Sequence, residues 1–327
     1  LVIDKSPGPE ILQPSAWTGD RGLTLVERAP YGVFGVITPS TNPTSTIINN
    51  AIGLVAAGNS AVVNVHPGAK RVSAYQIQLL NRAIVHAGGP PDVLTALAEP
   101  TVETAQALMK HPGIRILLIT GGGAVVRLAM SSGKRAICAG PGNPPVVVDE
   151  TADLDRAARS IIAGGAYDNN LLCIAEKQVF AVNAIFDALM AAMERAGAVR
   201  LTAKEVDALT NVAIQSVGEG EHKHDVPARD FLGKDAVVLA RGAGRTVSPD
   251  VELVFGETDE SNPFVPVEQM MPFLPFVRCR DVDEAIEKAR ASEHGFRHTA
   301  MIHSHNVNNM TKMGKVMDTT LFVKNGP

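Results

Sequence analysis

Three cysteines are the residues of this chain best able to make and break a covalent bond, and one of them stands apart. Cys173 follows a polar turn, Asp168-Asn169-Asn170, and precedes a strand-like run, K-Q-V-F-A-V. A lone cysteine is usually a small buried hydrophobe. Cys138, inside R-A-I-C-A, fits that description. Cys279 lies between Arg278 and Arg280, whose charges could lower its pKa, but it reads as a strand residue leading into the D-V-D-E-A helix. Cys173 belongs to no periodic element. At a turn its sulfur and its own N–H can face a cleft together, as a nucleophile requires.

Four histidines crowd E-H-G-F-R-H-T-A-M-I-H-S-H: His294, His298, His303 and His305. Their spacing matches no H-E-x-x-H or Cys/His pattern and no cysteine lies nearby, so no metal is expected. A histidine titrating near neutrality suits proton transfer instead. His222 and His224, in E-H-K-H-D, read as part of a solvated loop.

The elements that must position these residues are legible from the pattern of apolar runs. Residues 1–29 read as irregular, broken by Pro7, Pro9, Pro14 and Gly19. From Pro30 strands and helices alternate. Y-G-V-F-G-V-I-T, N-S-A-V-V-N-V, D-V-L-T-A-L, I-R-I-L-L-I and R-A-I-C-A read as strands. The helices between them include one with Thr44 or Ser45 near its N-cap and Gly58 at C′, and a long amphipathic one closed by Gly88. Near-continuous apolar strands alternating with helices predict α/β architecture, with a parallel sheet covered on both faces. The pattern restarts after about residue 145, which predicts two doubly wound, Rossmann-like domains, 1–145 and 146–327. In the second, a helix delivers the chain to Cys173, and the stretch from Gly218 to Asp235 reads as a surface loop.

No G-x-G-x-x-G marks the first strand-to-helix turn. The expected dinucleotide contacts are instead Thr38, Pro39, Ser40 and Thr41 after the first strand, His66, Pro67 and Gly68 after the next, and Thr120, Gly121, Gly122 and Gly123 after I-R-I-L-L-I. Doubly wound sheets bind ligands at such strand ends, and glycine lets backbone approach a phosphate before a helix N-terminus.

The order of S-T-N-P-T-S-T-I-I-N-N, A-A-G-N-S, H-P-G-A-K, G-N-P-P, V-D-E-T-A-D-L, C-I-A-E-K and F-V-K-N-G-P resembles the aldehyde dehydrogenase superfamily. Within it the chain is similar to the coenzyme A-acylating branch, the propionaldehyde and acetaldehyde dehydrogenases of bacterial microcompartments. The resemblance runs from about Thr18 to Pro327. It implies an active site in the cleft between the two domains, a first domain for dinucleotide and coenzyme A, and a second for the thiol. Cys173 is then the nucleophile, with Asn42 as an oxyanion donor, His298 as a proton-transfer residue, and Glu268 on the nicotinamide ribose. Ala139 and Gly140 join the cofactor-binding set. Two departures stand out: T-G-G-G-A replaces T-G-G-P-G, and residues 218–262 match little.

Hydrolytic relatives hold the adenosine ribose with a Lys-Pro-Ser/Ala-Glu sequence, where this chain has His66-Pro67-Gly68-Ala69. They also activate water with a Glu in E-L-G-G-K, where C-A-G-P-G-N-P-P has no acid. The resemblance therefore implies a thiol pocket without a carboxylate to recruit water, and a thiol as acyl acceptor. A thiol is a far better attacker on a thioester without a base. The expected reaction oxidises a short aldehyde, propanal or ethanal, with NAD and coenzyme A. The alternatives are a hydrolytic NAD(P) enzyme, the aldehyde half of a bifunctional aldehyde–alcohol dehydrogenase, and a non-catalytic structural subunit. The intact Cys173, Asn42 and Glu268 set argues against the last.

The chain has 327 residues, 45% hydrophobic, with a net charge of −4. That charge offers no field for nucleic acid or anionic lipid, and no run of about eighteen apolar residues predicts a membrane span. Sparse, odd cysteines predict reduced thiols in a cytosolic space, and the resemblance adds bacterial cytoplasm, a microcompartment interior, a dimer or tetramer, and shell or lumen proteins as partners. Chains of this family usually continue past Pro327, and position 1 is Leu, so further segments are expected at both ends.

Overall fold

Short, near-continuous apolar runs build a parallel sheet in each half of the chain. The computed structural model describes residues 2–218, 220 and 223–327. It divides into two units, one ending at Gly140 and one starting at Pro141.

The first unit opens with a single helical turn, α1 (Val2–Lys5), and an antiparallel hairpin of β1 (Ser15–Gly19) and β2 (Gly22–Val26). Its core alternates β3 (Val33–Ile37), α2 (Pro43–Ala56), β4 (Ser60–Asn64), α3 (Lys70–His86), β5 (Leu94–Ala96), α4 (Val102–Lys110), β6 (Ile116–Thr120), α5 (Gly123–Met130) and β7 (Arg135–Ala139). The strands pair in the order β5-β4-β3-β6-β7, all parallel. The order reverses between β3 and β6, and such reversals open a crevice at the carboxyl ends of the strands.

Sequence explains the helix ends. At the end of α2 the Gly58 N–H bonds to Val55 O and the Asn59 N–H to Leu54 O, a Schellman closure that needs the left-handed φ of +72° at Gly58. The start of α2 departs from expectation: Asn42 is the N-cap and Pro43 fills the first turn, where its missing N–H costs nothing. Thr44 lies inside the helix.

The second unit runs β8 (Pro145–Val148), α6 (Leu154–Ala166), β9 (Gln178–Val182), α7 (Phe186–Arg195), β10 (Val199–Arg200), α8 (Ala203–Ala213), β11 (Ile214–Val217), β12 (His224–Pro227), α9 (Ala236–Gly242), β13 (Val254–Thr258), β14 (Phe273–Cys279), α10 (Val282–Ser292), β15 (Thr299–His303), α11 (Val307–Met317) and β16 (Leu321–Lys324). Seven strands form a parallel sheet, β10-β13-β14-β9-β8-β15-β16. Val146, Phe180, Phe186, Phe255 and Phe276 are sealed between sheet and helices. Truncating one such phenylalanine to alanine costs about 3–5 kcal/mol.

The strand order reverses between β8 and β15. At the carboxyl ends of those two strands lies a buried polar cluster. The Asp149 carboxyl accepts from Thr151 N (2.9 Å) and Oγ1 (2.6 Å), Ser304 Oγ (2.5 Å) and Asn309 Nδ2 (2.8 Å).

Two segments differ from the sequence reading. Residues 15–26 are a hairpin rather than irregular chain, with Trp17, Leu23 and Leu25 exposed. Some of the stretch after Gly218 is also strand: β12 pairs antiparallel with β11, Val217 opposite His224. His222 lies outside the described residues.

Candidate active site

Cys173 is carried on a loop that only certain residues can form. After α6 the backbone turns left-handed at three consecutive positions, Asp168 (φ 50°), Asn169 (φ 51°) and Asn170 (φ 62°). That region costs an ordinary L-residue about 1–2 kcal/mol, and Asn and Asp tolerate it best. Their side chains also hold the turn. Asn169 Nδ2 donates to Gly233 O (3.0 Å) and Asp235 Oδ1 (2.8 Å), and buried Asn170 Nδ2 to Gly165 O (2.7 Å) and Glu176 O (2.8 Å).

Beneath the loop lies Lys177, fully buried. Its ammonium donates to Asn170 O (2.7 Å), Asn170 Oδ1 (2.5 Å) and Leu172 O (3.0 Å). Burial lowers its pKa to about 8. Gln269 Nε2 donates to Lys177 O (2.7 Å) and so ties the segment to β14.

Gly142 packs directly against Cys173. A Cβ there would overlap the Cys173 carbonyl oxygen and stand 3.2 Å from His298 Cγ. Cys173, His298 and the G-N-P-P turn therefore meet at one point, at the amino ends of β8, β9 and β15. The Gly142 N–H favours the charged Glu268 carboxyl, and that carboxylate in turn raises the Cys173 thiol. Glu268 is thus beside the thiol, and the expectation of a pocket without a carboxylate is corrected. The residue sits on the loop before β14, remote in sequence from C-A-G-P-G-N-P-P, so the missing acid in that motif did not reveal it. Glu176 is also buried and held up to about 7 by burial.

Charges and burial set the protonation states. Burial, then the Glu268 carboxylate, push the Cys173 thiol above the ordinary cysteine range, against a smaller pull from Lys177. Burial, then Lys177, lower His298 below the usual imidazole value. His298 is therefore neutral at pH 7. Its Nδ1 pairs with Thr299 Oγ1 (2.8 Å), and its backbone N–H is held by Glu293 Oε1 (3.0 Å). Across Gly142 the His298 ring comes close to the Cys173 backbone, and a neutral imidazole so placed is able to act as a base toward a weakly acidic thiol. His298→Ala is expected to slow acylation about 100-fold at pH 7. The gap should narrow toward alkaline pH, where the thiol ionises unaided. Single-turnover NADH formation across pH checks this, and parallel profiles for the two proteins would assign His298 to packing.

The other histidines and cysteines go elsewhere. His303 lies in the core on β15, pushed down to about 4 by burial. His294 pairs through Nε2 with Pro266 O (2.7 Å), and His305 is exposed. Among the described residues no three His, Cys, Asp or Glu side chains gather as metal ligands would. Cys279 is buried in β14 and pushed up to about 12, burial outweighing the pull of Lys288. Cys138 lies in β7, its pKa raised by burial.

In the first unit, Thr38 to Asn42 leave β3 and Thr120 to Gly123 leave β6, on the two sides of the strand reversal. Thr38 is buried, and among the described residues its Oγ1 has no partner. Asn42 accepts from Thr46 at its backbone oxygen, and from Thr41 Oγ1 at Oδ1 (3.2 Å), which leaves its amide N–H groups uncommitted. Gly122 has an ordinary φ of −64° and open space where a Cβ would sit. The backbone does not need glycine there, whereas a close-lying ligand would. An open cavity of about 500 Å³ adjoins these ends, lined by Asn42, Ser45, Thr46, Asn49, Asn50 and Thr120 among others. An orphaned hydroxyl, free amide donors and an unfilled glycine fit a phosphate-bearing dinucleotide. Pro39 and Ser40 lie in the same turn. His66 leaves β4 and accepts Gly68 N at Nδ1 (3.1 Å), with Pro67 between them. Ala139 O accepts Gly121 N (3.1 Å), and Gly140 follows it.

Sequence reasoning did not single out Gly142 or Lys177. The Gly of G-N-P-P and the Lys of C-I-A-E-K were visible, but only proximity gives them meaning. An open cavity of about 1130 Å³ lies at the carboxyl end of β13 around Asp207, Asp259 and Lys288 and takes no residue of the thiol loop.

Residues 8–327 match the model of the aldehyde dehydrogenase family. An acetylating acetaldehyde dehydrogenase of Salmonella typhimurium, EutE, is 50% identical over 98% of this chain and 69% of its own length. A propionaldehyde dehydrogenase of Rhodopseudomonas palustris, solved with bound propionyl-CoA, superposes with a TM-score of 0.94 at 44% identity, over 100% of this chain and 71% of that one. A second structure of that dehydrogenase, with bound CoA and an acylated cysteine, gives 0.93 at 44% identity and covers 100% and 73%. The chain belongs to the aldehyde dehydrogenase family, alongside its acylating members.

Proposed function

We propose that the protein oxidises a short aldehyde, ethanal or propanal, to its coenzyme A thioester, with Cys173 as the acyl carrier. Deprotonated by His298, the sulfur bonds to the carbonyl carbon, and the carbonyl π electrons move to oxygen. The Cys173 N–H and the Asn42 amide stabilise that oxyanion, each donor worth about 3–4 kcal/mol in the transition state. A bound nicotinamide dinucleotide, NAD in this reading, supplies the hydride acceptor. Its contacts are Thr38 to Thr41, His66 to Gly68, Thr120 to Gly123, Ala139 and Gly140 in the first unit, with Glu268 toward the nicotinamide ribose. Loss of hydride leaves an acyl thioester on Cys173. The thiolate of coenzyme A then attacks the acyl carbon, and the Cys173 sulfur leaves. Residues 1–140 serve the dinucleotide and coenzyme A, and residues 141–327 serve the thiol.

The observation that carries this reading is the neutral His298 packed with Cys173 around Gly142. Relatives acylated on cysteine or bound to acyl-CoA support it. The reading extends to a homodimer or homotetramer in bacterial cytoplasm, inside a microcompartment, beside shell or lumen proteins. Among the described residues no helix is long and apolar enough to cross a membrane.

One observation favours a second, hydrolytic reading. Glu268 stands beside the sulfur with its pKa raised, and a more basic carboxyl is better able to activate water. Omitting coenzyme A separates the two. The acylating reading expects a burst of about one NADH per thiol and then a stall until coenzyme A is added. Sustained turnover without coenzyme A would establish the hydrolytic one.

A further inference from the structure

We propose that Lys177 is a positioning residue for the oxyanion. Its buried ammonium, by holding the Leu172 and Asn170 carbonyls, turns the Cys173 N–H into the space in front of the sulfur. The inference deepens the acyl-transfer reading and rests on it.

The argument is geometric. The Leu172 carbonyl and the Cys173 N–H are the two arms of one peptide unit. In a planar trans peptide those arms point in opposite directions. Lys177 Nζ draws the Leu172 carbonyl inward at 3.0 Å, and Ala175 N adds a second bond to the same oxygen at 3.2 Å. The Cys173 N–H must then point outward, away from the lysine. Among the described residues it donates to no carbonyl, and it favours the thiolate form of its own side chain. An N–H beside the nucleophile with no other acceptor is what a developing alkoxide needs.

Two residues before Leu172 the chain is fixed by the same ammonium. Asn170 sits at a left-handed φ of 62° with both its backbone oxygen and Oδ1 on Lys177 Nζ. Without the cation three acceptors around a fully buried site lose their donor at once. The peptide between Leu172 and Cys173 then has only the Ala175 bond to hold its orientation. Lys177 has no route to the substrate itself, since it is fully buried beneath the loop. It acts through Leu172 and Asn170.

The test separates orientation from thiol ionisation, because the Lys177 charge also favours the thiolate. Lys177→Met is compared with the unaltered protein in two assays over a pH series. One is alkylation of Cys173 by iodoacetamide, which needs the thiolate but no oxyanion donor. The other is single-turnover NADH formation from propanal and NAD, which needs both. At alkaline pH, where the thiol is ionised in both proteins, alkylation should be equal. NADH formation should remain depressed about 10²–10³-fold, as for loss of one oxyanion donor. Lys177→Arg, which keeps charged donors, should recover part of the loss. NADH formation that recovers at alkaline pH in step with alkylation would overturn the proposal, as would an unaltered rate throughout. Circular dichroism checks folding. If Lys177→Met does not fold, Lys177→Gln, neutral but still a donor, carries the same two readouts. Failure of the underlying reading looks different: the unaltered protein would alkylate normally yet make no NADH from propanal.

Discussion

Exchange of Cys173 for alanine is expected to reduce aldehyde oxidation by at least about 10⁴-fold, since loss of a nucleophile removes the covalent route as a unit. Dinucleotide binding should persist, because its expected contacts lie on the strand ends of the first unit. Only one methyl-sized polarisable atom is lost from a half-buried site, so the melting temperature should stay close to that of the parent. NADH formation in the presence of coenzyme A and titration of dinucleotide fluorescence check the two halves of this expectation. Neither remaining thiol can substitute. Cys279 is sealed inside β14 and ionises only near pH 12, and Cys138 lies on β7 of the other unit. Surviving turnover would move the nucleophile and end the mechanism given above.

Gly142→Ala should be almost as damaging, although it touches no reacting atom. The added methyl would overlap the Cys173 carbonyl oxygen, which is backbone and has no flexible end to yield. It would also press on the His298 ring at 3.2 Å. Relief requires moving the thiol loop, the histidine or the G-N-P-P turn, and each carries part of the site. Displacing reacting groups by about an ångström typically costs about 100-fold in rate. Overpacking of this kind costs about 1–3 kcal/mol in stability. A useful contrast is Gly122→Ala, where nothing lies within 4 Å of the new methyl. That substitution should leave stability intact and weaken the dinucleotide. Steady-state kinetics with thermal unfolding of both variants distinguishes them, and an unimpaired Gly142→Ala enzyme would show that the loop and the histidine do not meet in solution.

Both sheets were legible because a strand covered on two faces must be apolar along its whole length. I-L-L-I in β6 and Q-V-F-A-V in β9 announce themselves that way. Elements that bury one face or none left no such signal. The β1 and β2 hairpin is exposed nearly throughout, so its sequence carries no burial period. In α11, V-N-N-M-T-K-M-G-K-V-M buries only Met313 and Met317. The site divides in the same way. Cys173 and His298 are chemically conspicuous residue types, visible before any geometry. Gly142 and Lys177 acquire their roles only by contact with residues remote in sequence or hidden beneath a turn, and Glu268, named beforehand for the ribose, shows its effect on the thiol only there. Glu268 also shows how an acid missing from one motif can be matched by an acid arriving from another element.

The Asp149 cluster has a consequence for how many nucleotides the chain can take. A doubly wound sheet offers a natural berth where its strand order inverts, and the second sheet inverts between β8 and β15. That berth is already filled from within. The Asp149 oxygens occupy the donors of Thr151, Ser304 and Asn309 that would otherwise greet a pyrophosphate, and two sets of acceptors have nothing to exchange. The second sheet thus repeats the architecture of the first with this end closed by its own side chains, and on the proposed mechanism its opposite rim serves the thiol.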